Sequence, residues 1–344
     1  MIPALLKRSA FGAVRILGGP AIARRVLRRR LRVLCYHGVV RDEHAAGPRY
    51  RNTVTRSAFV RQMRSIARHD TPVDLATVIA WATGVRDLPD RAVLVTFDDG
   101  YRNNLTVAAP VLKSFGVPAV VALSTALIGT HELLWPTEVE LRIADGDWDS
   151  IAFPAGAERI ARPGHRAGRE AVGDRVRQAL KGLSDDACRS WLTEFRKTSR
   201  LDRGAIDGEL VDFLDWDEVR ALRDFGIDLA SHTVTHPILS RLQSDALAHE
   251  LAESKARIER ESGRACDAIV YPNGKPADVS LAVFEAARRA GYAAGFDLDD
   301  HVNPERCRDP FRIRRLEIPA LDSRALFETR ASGCYAILRR RIAR

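Results

Sequence analysis

The sequence lacks an unbroken apolar run long enough to span a bilayer. It also lacks a clear secretory leader: Arg15 and the Gly18-Gly19-Pro20 stretch interrupt the apolar positions near the N-terminus, and no small-residue cleavage site follows. Its five cysteines (Cys35, Cys188, Cys266, Cys307, Cys334) are odd in number and include no Cys-x-x-Cys pair, which excludes a full disulfide framework and a cysteine-type zinc site and suits a reducing compartment. No acid occurs before Asp42, whereas ten basic residues run from Lys7 to Arg41. Taking those ten from the net charge of +9 leaves −1 for the rest, so the body shows no nucleic-acid footprint.

What is present is ordinary for a soluble globular chain: 344 residues, 46% hydrophobic and 29% charged, enough for a sizeable core. Residues 1–30 mix apolar positions (Leu5, Leu6, Phe11, Ile16, Leu17, Ile22, Val26) with Arg24, Arg25, Arg28, Arg29 and Arg30. Two readings stay open for this segment: a basic amphipathic stretch lying on an anionic membrane surface, or a solvated helix packed on the body. The expected location is cytoplasmic, with peripheral contact at the inner membrane as the first reading's consequence.

The central stretch is Val93-Leu94-Val95-Thr96-Phe97-Asp98-Asp99-Gly100-Tyr101. A buried strand ends here in two adjacent carboxylates, which are costly to bury without a cation or a shared proton. The plainer alternative is an Asp-Asp-Gly turn that merely closes the strand. Far downstream, the strand-like run from Ile227 to Ala230 leads into Ser231-His232-Thr233-Val234-Thr235-His236-Pro237. Two imidazoles and a carboxylate make a three-ligand site with a position open for water, the form typical of catalytic zinc. The spacing of His232 and His236 predicts one helical turn with both rings on one side. Thr233 stands where zinc proteases of His-x-x-x-His type carry their glutamate base, so a base must come from elsewhere, and Asp98 or Asp99 can supply it.

Strands are expected at residues 31–35, 92–95, 118–123, 227–230, 268–271, 292–296 and 313–318, alternating with helices at 57–70 (Ser57 cap), 74–82 (Asp74 cap), 105–115, 216–225, 245–261 and 280–290. Between Gly129 and Asp212 the pattern changes to polar helical segments (137–144, 169–181, 184–197) around a short strand near Ile151 to Phe153. This reads as an insertion forming a lid or rim. The alternation implies an α/β fold with a parallel sheet of seven strands. Closing it into a barrel gathers the polar strand ends on one face. The domain reading is a basic N-terminal segment (1–30), a barrel (31–320, with 129–212 inserted) and a basic helical tail (321–344).

Thr96-Phe97-Asp98-Asp99-Gly100 and His232-Thr233-Val234-Thr235-His236 resemble the first two motifs of the polysaccharide deacetylase family (the NodB-homology domain, carbohydrate esterase family 4). Leu34-Cys35-Tyr36-His37-Gly38-Val39, Tyr271-Pro272-Asn273-Gly274 and Phe311-Arg312-Ile313-Arg314-Arg315-Leu316 follow in order and resemble the poly-N-acetylglucosamine deacetylase branch. The resemblance covers residues 31–128 and 212–320. It implies a distorted (β/α)7 barrel, Asp99, His232 and His236 as metal ligands, Asp98 as general base, and the backbone N–H of Tyr101 as an oxyanion donor. The implied metal is Zn2+, with Co2+ or Ni2+ also suited to two histidines and a carboxylate. The implied activity is removal of N-acetyl groups from amino sugars of a bacterial polysaccharide, oligosaccharide or lipid-linked glycan, with release of acetate.

The chain departs from the commonest family pattern twice. Leu316-Glu317-Ile318 is followed by Pro319 where many members carry an acid histidine, which turns attention to His37 as the acid. Val270 and Tyr271 stand before Pro272 where many members have a base-orienting arginine; Arg315 is read either as its replacement or as half of a surface ion pair. His301, Asp297 and Asp300 read as a solvated loop at the mouth, and His44, His69, His131, His165 and His249 as plain surface residues. Two rival functions are a C–N hydrolase of a small amide or imide and a catalytically inactive glycan-binding barrel; the intact carboxylates and histidines speak against the latter.

Overall fold

The computed structural model describes residues 11–44, 53–154, 156, 158–320 and 323–342, with side chains of the last helix described to 338. Leu5 and Leu6 of the N-terminal segment lie outside the described residues. Seven short runs rich in valine, leucine, isoleucine and alanine form strands β1 (Arg32–Tyr36), β2 (Ala92–Phe97), β3 (Ala119–Leu123), β4 (Ile227–Ser231), β5 (Ala268–Val270), β6 (Ala294–Asp297) and β7 (Ile313–Glu317). All except β4 and β7 are buried along their whole length, as parallel strands covered on both faces must be. Each pairs in parallel with the next, and β7 returns to β1. Val33 of β1 lies opposite Arg315 on one side and Leu94 on the other, and this double pairing closes the barrel. All seven expected strands are present, within two residues at each end.

Alternation along the strands sorts the core into two layers. One parity (Val33, Leu94, Val120, Ala122, Ala230, Val270, Phe296, Ile313) fills the barrel from all seven strands. Alanines at 92, 122, 230, 268 and 294 belong to this layer, as a seven-stranded barrel is narrow inside. The helix Leu75–Ala82 adds Val78 and Trp81 to it. The other parity (Leu34, Val93, Val95, Phe97, Val121, Leu229) packs under the surrounding helices.

The helices differ from expectation in places with local causes. Arg56–His69 is capped by Thr55, whose hydroxyl accepts from Ala58 N at 3.3 Å; the expected cap, Ser57, instead donates to Asp42 at 2.7 Å. The stretch expected as one helix from 105 opens with a π-helical turn, Asn104–Ala108, before Ala109–Phe115. Trp216–Ala221 tightens into a 3-10 turn, Leu222–Phe225, before Gly226 at φ 68°.

The 129–212 stretch carries helices Trp135–Ala144, Arg166–Lys181 and Asp185–Thr198 and a hairpin of Ser150–Ala152 with Arg159–Ala161. Val139, Ile143, Trp148, Val176, Leu192 and Phe195 give it a small apolar cluster of its own. At the opposite end of the barrel, near the start of β1, Asp70 is buried between two arginines: Arg32 Nη1 at 2.7 Å and Arg24 Nε at 3.0 Å. This pairing pins the helix Gly19–Val26 to the barrel base, because separating the buried charges would leave them uncompensated.

Candidate metal centre and active site

The inward parity of the strands delivers the site. On β2 the inward residues run Ala92, Leu94 and Thr96, and Asp98 is next in phase. On β7 the same phase runs from Ile313 to Arg315, and on β1 from Val33 to Cys35. These polar groups meet just above the apolar layers. Arg315 grips Asp98 with both ends of its fork, Nη1–Oδ1 at 2.6 Å and Nη2–Oδ2 at 3.0 Å. It also donates to the Asp297 carbonyl at 3.1 Å and to Thr96 Oγ1 at 3.3 Å, and Cys35 Sγ lies 3.5 Å from Asp98 Oδ2. Arg315 is 1% exposed, so the surface-pair alternative does not describe it. Burial alone would raise the Asp98 carboxyl, but Arg315, with His232 and His37, outweighs it and holds the group well below the usual carboxylate range.

The next residue turns away. Asp99 has φ 75° and Gly100 φ 83°, a left-handed backbone that favours glycine at the second position. The left-handed turn separates the carboxylates: Asp98 engages Arg315, while Asp99 faces the histidines. His232 Nε2 and His236 Nε2 each lie 3.5 Å from Asp99 Oδ1.

The expected helical turn between the histidines does not form. Thr233 (φ 69°) and His236 (φ 61°) both take left-handed backbone, so residues 232–237 are a loop. Its shape is set by polar side chains. Ser231 Oγ accepts from Thr233 N and Thr233 Oγ1 from His236 N, each at 3.1 Å. Glu250, buried on the helix Ser244–Ser262, accepts from Val234 N (2.7 Å), Thr235 N (3.0 Å) and Thr235 Oγ1 (2.7 Å). His232 Nδ1 donates to the Val270 carbonyl at 2.7 Å, which orients the ring with Nε2 toward Asp99. Glu250 was not legible from the sequence, because nothing marks one acid in a long helix as a loop anchor.

Asp99, His232 and His236 offer ligand atoms that all lie within 4.8 Å of one another, and all three residues are buried. Asp99 Oδ1 has no hydrogen-bond partner among the described residues. Burial raises the Asp99 carboxyl, but the neighbouring imidazoles bring it below its ordinary value. Burial, helped by His232, pushes His236 down to about 3, leaving a neutral imidazole. A buried, ionised and unbonded carboxylate oxygen flanked by imidazole nitrogens fits a divalent cation.

A cavity of about 230 Å³ opens above this cluster, and His37, Asp98, Tyr101 and Asn273 line it. His37 is half-buried just past β1, and its carbonyl accepts from Asn104 Nδ2 at 2.8 Å. The Tyr101 ring stacks on Phe213 (5.0 Å between centroids), and burial, then Asp99, pushes its phenol upward so that it stays protonated. Among the described residues the Tyr101 N–H has no acceptor; its neighbours carry the bridge instead, Arg102 N to Asp212 O and Leu214 N to Gly100 O.

The helices Trp135–Ala144 and Arg166–Lys181 supply one wall, through Thr137, Glu140, Arg177 and Lys181. Arg177 is paired with Glu140 and Asp174, whereas Lys181 has no hydrogen bond or ion pair among the described residues. Burial, and then Arg177 and Lys275, lower its pKa. Sequence reasoning missed Lys181, since a lysine closing a polar helix carries no signal. Asp297 is buried beside Arg315 rather than solvated, and burial with Asp299 pushes it up to about 6. Asp300 pairs with Arg330 and His301 contacts Asp299, and neither lines the cavity. His44 pairs with Asp207, and exposed His165 caps the helix Arg166–Lys181 through Nδ1.

Because Glu250 holds the loop that presents His236, Glu250→Ala should weaken Zn2+ binding by about 10- to 100-fold in a calorimetric titration. Glu250→Gln, which keeps an acceptor oxygen, should lose less. Unchanged affinity in Glu250→Ala would remove the anchoring role.

The model of the polysaccharide deacetylase family matches residues 85–172 and 177–295. The Escherichia coli K12 poly-beta-1,6-N-acetyl-D-glucosamine N-deacetylase is 29% identical over 114 residues, 33% of this chain. That match spans 16% of the curated relative's length. Among solved structures, IcaB from Ammonifex degensii superposes with a TM-score of 0.56 at 17% identity, covering 89% of this chain and 97% of IcaB. The Streptococcus pyogenes deacetylase PplD in complex with acetate gives 0.54 at 16% identity, covering 85% and 93%. At such identities the likeness is one of fold, a closed parallel barrel of seven strands ringed by helices. The family match takes in more than half of the chain, with Asp98, Asp99, His232 and His236 inside it, and the chain belongs to the polysaccharide deacetylase family.

Proposed function

We propose that this protein is a metal-dependent hydrolase that removes N-acetyl groups from the amino sugars of a bacterial glycan. The observation that carries the reading is the buried Asp99–His232–His236 cluster, with its unbonded carboxylate oxygen, beside a second carboxylate held ionised by Arg315. The E. coli relative is named for the same kind of reaction on poly-beta-1,6-N-acetyl-D-glucosamine. For this chain the substrate class is N-acetylated amino sugar, in a polymer, an oligosaccharide or a lipid-linked form.

A divalent metal held by Asp99, His232 and His236, Zn2+ first and Co2+ or Ni2+ as alternatives, would supply Lewis acidity and lower the pKa of a bound water. Asp98 is the base: it takes a proton from the water that attacks the acetyl carbonyl carbon. Arg315 is a positioning residue, fixing the Asp98 carboxylate and keeping it ionised across the neutral range. That same pairing makes Asp98 a weak base, which would be matched to a water acidified by such a metal. The Tyr101 N–H, without an acceptor among the described residues, serves the developing oxyanion. As the C–N bond breaks, His37 protonates the leaving amine, and acetate and a free amino sugar result. Lys181, without an ion pair among the described residues, holds the sugar through a hydroxyl or an acidic substituent.

Asp98→Asn should lower acetate release from N-acetylglucosamine oligosaccharides by about 10²- to 10⁴-fold at unchanged metal stoichiometry. The variant also needs a melting check, because it leaves Arg315 without its counter-charge. Full activity in a folded, metal-loaded Asp98→Asn would exclude Asp98 as base. A metal-loaded parent inert toward every glycan but active on small amides would favour the small-amide hydrolase, and glycan binding without turnover the inactive barrel.

Lys181→Ala should raise KM about tenfold and leave kcat within about twofold, as expected for a lost charged hydrogen bond to bound substrate. A fall in kcat at constant KM would instead place Lys181 in the chemical step.

A further inference from the structure

The helix Gly19–Val26 is inside out. Its inward side carries Pro20, Ala23 and Arg24, with Arg24 bonded to the buried Asp70. Its outward side carries Ile22 and Val26, one turn apart and 61% and 68% exposed. In the turn before it, Ile16 and Leu17 are 83% and 79% exposed. The other large hydrophobic side chains exposed among the described residues, Val85 and Leu281, belong to distant parts of the chain. Four exposed aliphatic side chains within eleven residues mark a surface that something covers.

Charge narrows what that can be. Arg25, Arg28 and Arg29 are exposed around the aliphatic residues, with Arg28 4.0 Å from Asp90 and Arg29 3.2 Å from Glu305 in exposed ion pairs. A cavity of about 590 Å³ beside Ile16 is lined by Arg15, Arg25, Arg28 and Arg91, with Asp90 and Glu328 as its acids. A second copy of the chain would set these arginines against one another. The preceding residues bring Lys7 and Arg8 and no acid, so they cannot neutralise the face. A nucleic acid would meet the arginines but has no place for four aliphatic side chains. No helix among the described residues is long and apolar enough to cross a membrane.

We propose that residues 15–30 dock this protein on an anionic lipid bilayer, with Ile16, Leu17, Ile22 and Val26 entering the headgroup–acyl boundary and the surrounding arginines meeting lipid phosphates. The orientation follows from the fold. This helix is tied through Asp70 to Arg32, the first residue of β1, whereas His37 and Asp98 lie beyond the far ends of β1 and β2. Docking therefore seats the base of the barrel on the bilayer and turns the active-site mouth away from the lipid.

The test is co-sedimentation of the full chain with vesicles of phosphatidylcholine alone or with about 30 mol% phosphatidylglycerol, at low salt and at about 0.5 M salt. Binding should be at least about tenfold tighter to the anionic vesicles and weakened by salt. Ile22→Asp/Val26→Asp should lose at least about tenfold of that binding, and Arg25→Glu should also weaken it. Both variants should keep parental melting temperature and metal content, since these side chains face outward. A parent that stays in solution with anionic vesicles overturns the proposal, as does equal binding by Ile22→Asp/Val26→Asp. A parent that is dimeric by light scattering and becomes monomeric in that variant also overturns it, by giving the face to a second copy.

Discussion

Inside the barrel mouth, a bidentate ion pair joins Asp98 to Arg315, and the arrangement of the site depends on it. In an open sheet of the same strand order, β2 and β7 would lie far apart. They become neighbours across β1 only because β1 pairs with both: Thr96 lies opposite Cys35, and Arg315 opposite Val33. The pair therefore depends on the β1–β2 pairing that closes the barrel. Breaking one partner would leave a buried, uncompensated charge at a cost of about 3–5 kcal/mol. The same contact that ties β7 to β2 also fixes the rotamer and charge of the carboxylate proposed as base.

The two adjacent aspartates divide the work because the backbone between them is forced. Asp99, Thr233, His236 and Asn273 all have positive φ, four of the six such non-glycine residues among those described, and all four lie at the site. Each costs of order 1 kcal/mol or more, and the surrounding hydrogen bonds hold them in place. Glu250 with its three bonds to the histidine loop is the clearest case. The outcome is one carboxylate bound to a guanidinium and one left facing two imidazoles with an unbonded oxygen.

Much of this was legible in the sequence, for reasons that can be named. Seven apolar runs with polar C-terminal ends specify the barrel strands, whereas the run Ala92–Phe97, buried on both faces, does not tell its inward side from its outward one. The His-x-x-x-His spacing misled about the local backbone, because a helical period and a loop that returns on itself can bring the same two rings together. Thr233 and Thr235, which shape that loop, look like unremarkable spacer residues in the sequence. Arg315 could be read two ways until its burial was known, and Lys181 and Glu250 act through tertiary contacts that no local pattern encodes. Arg24 is the sharpest failure of local reading. An arginine is expected outside, but Asp70 draws it in and turns Ile22 and Val26 to the surface.

The proposed deacetylation depends on a metal held by the Asp99–His232–His236 cluster. The most direct measurement is acetate release from N-acetylglucosamine oligosaccharides alongside elemental analysis, before chelation, after it, and after adding back Zn2+, Co2+ or Ni2+. One divalent ion per chain is expected, with acetate release lost as that ion is lost and recovered on its return. Undiminished acetate release from a chain that elemental analysis finds free of metal would contradict this dependence.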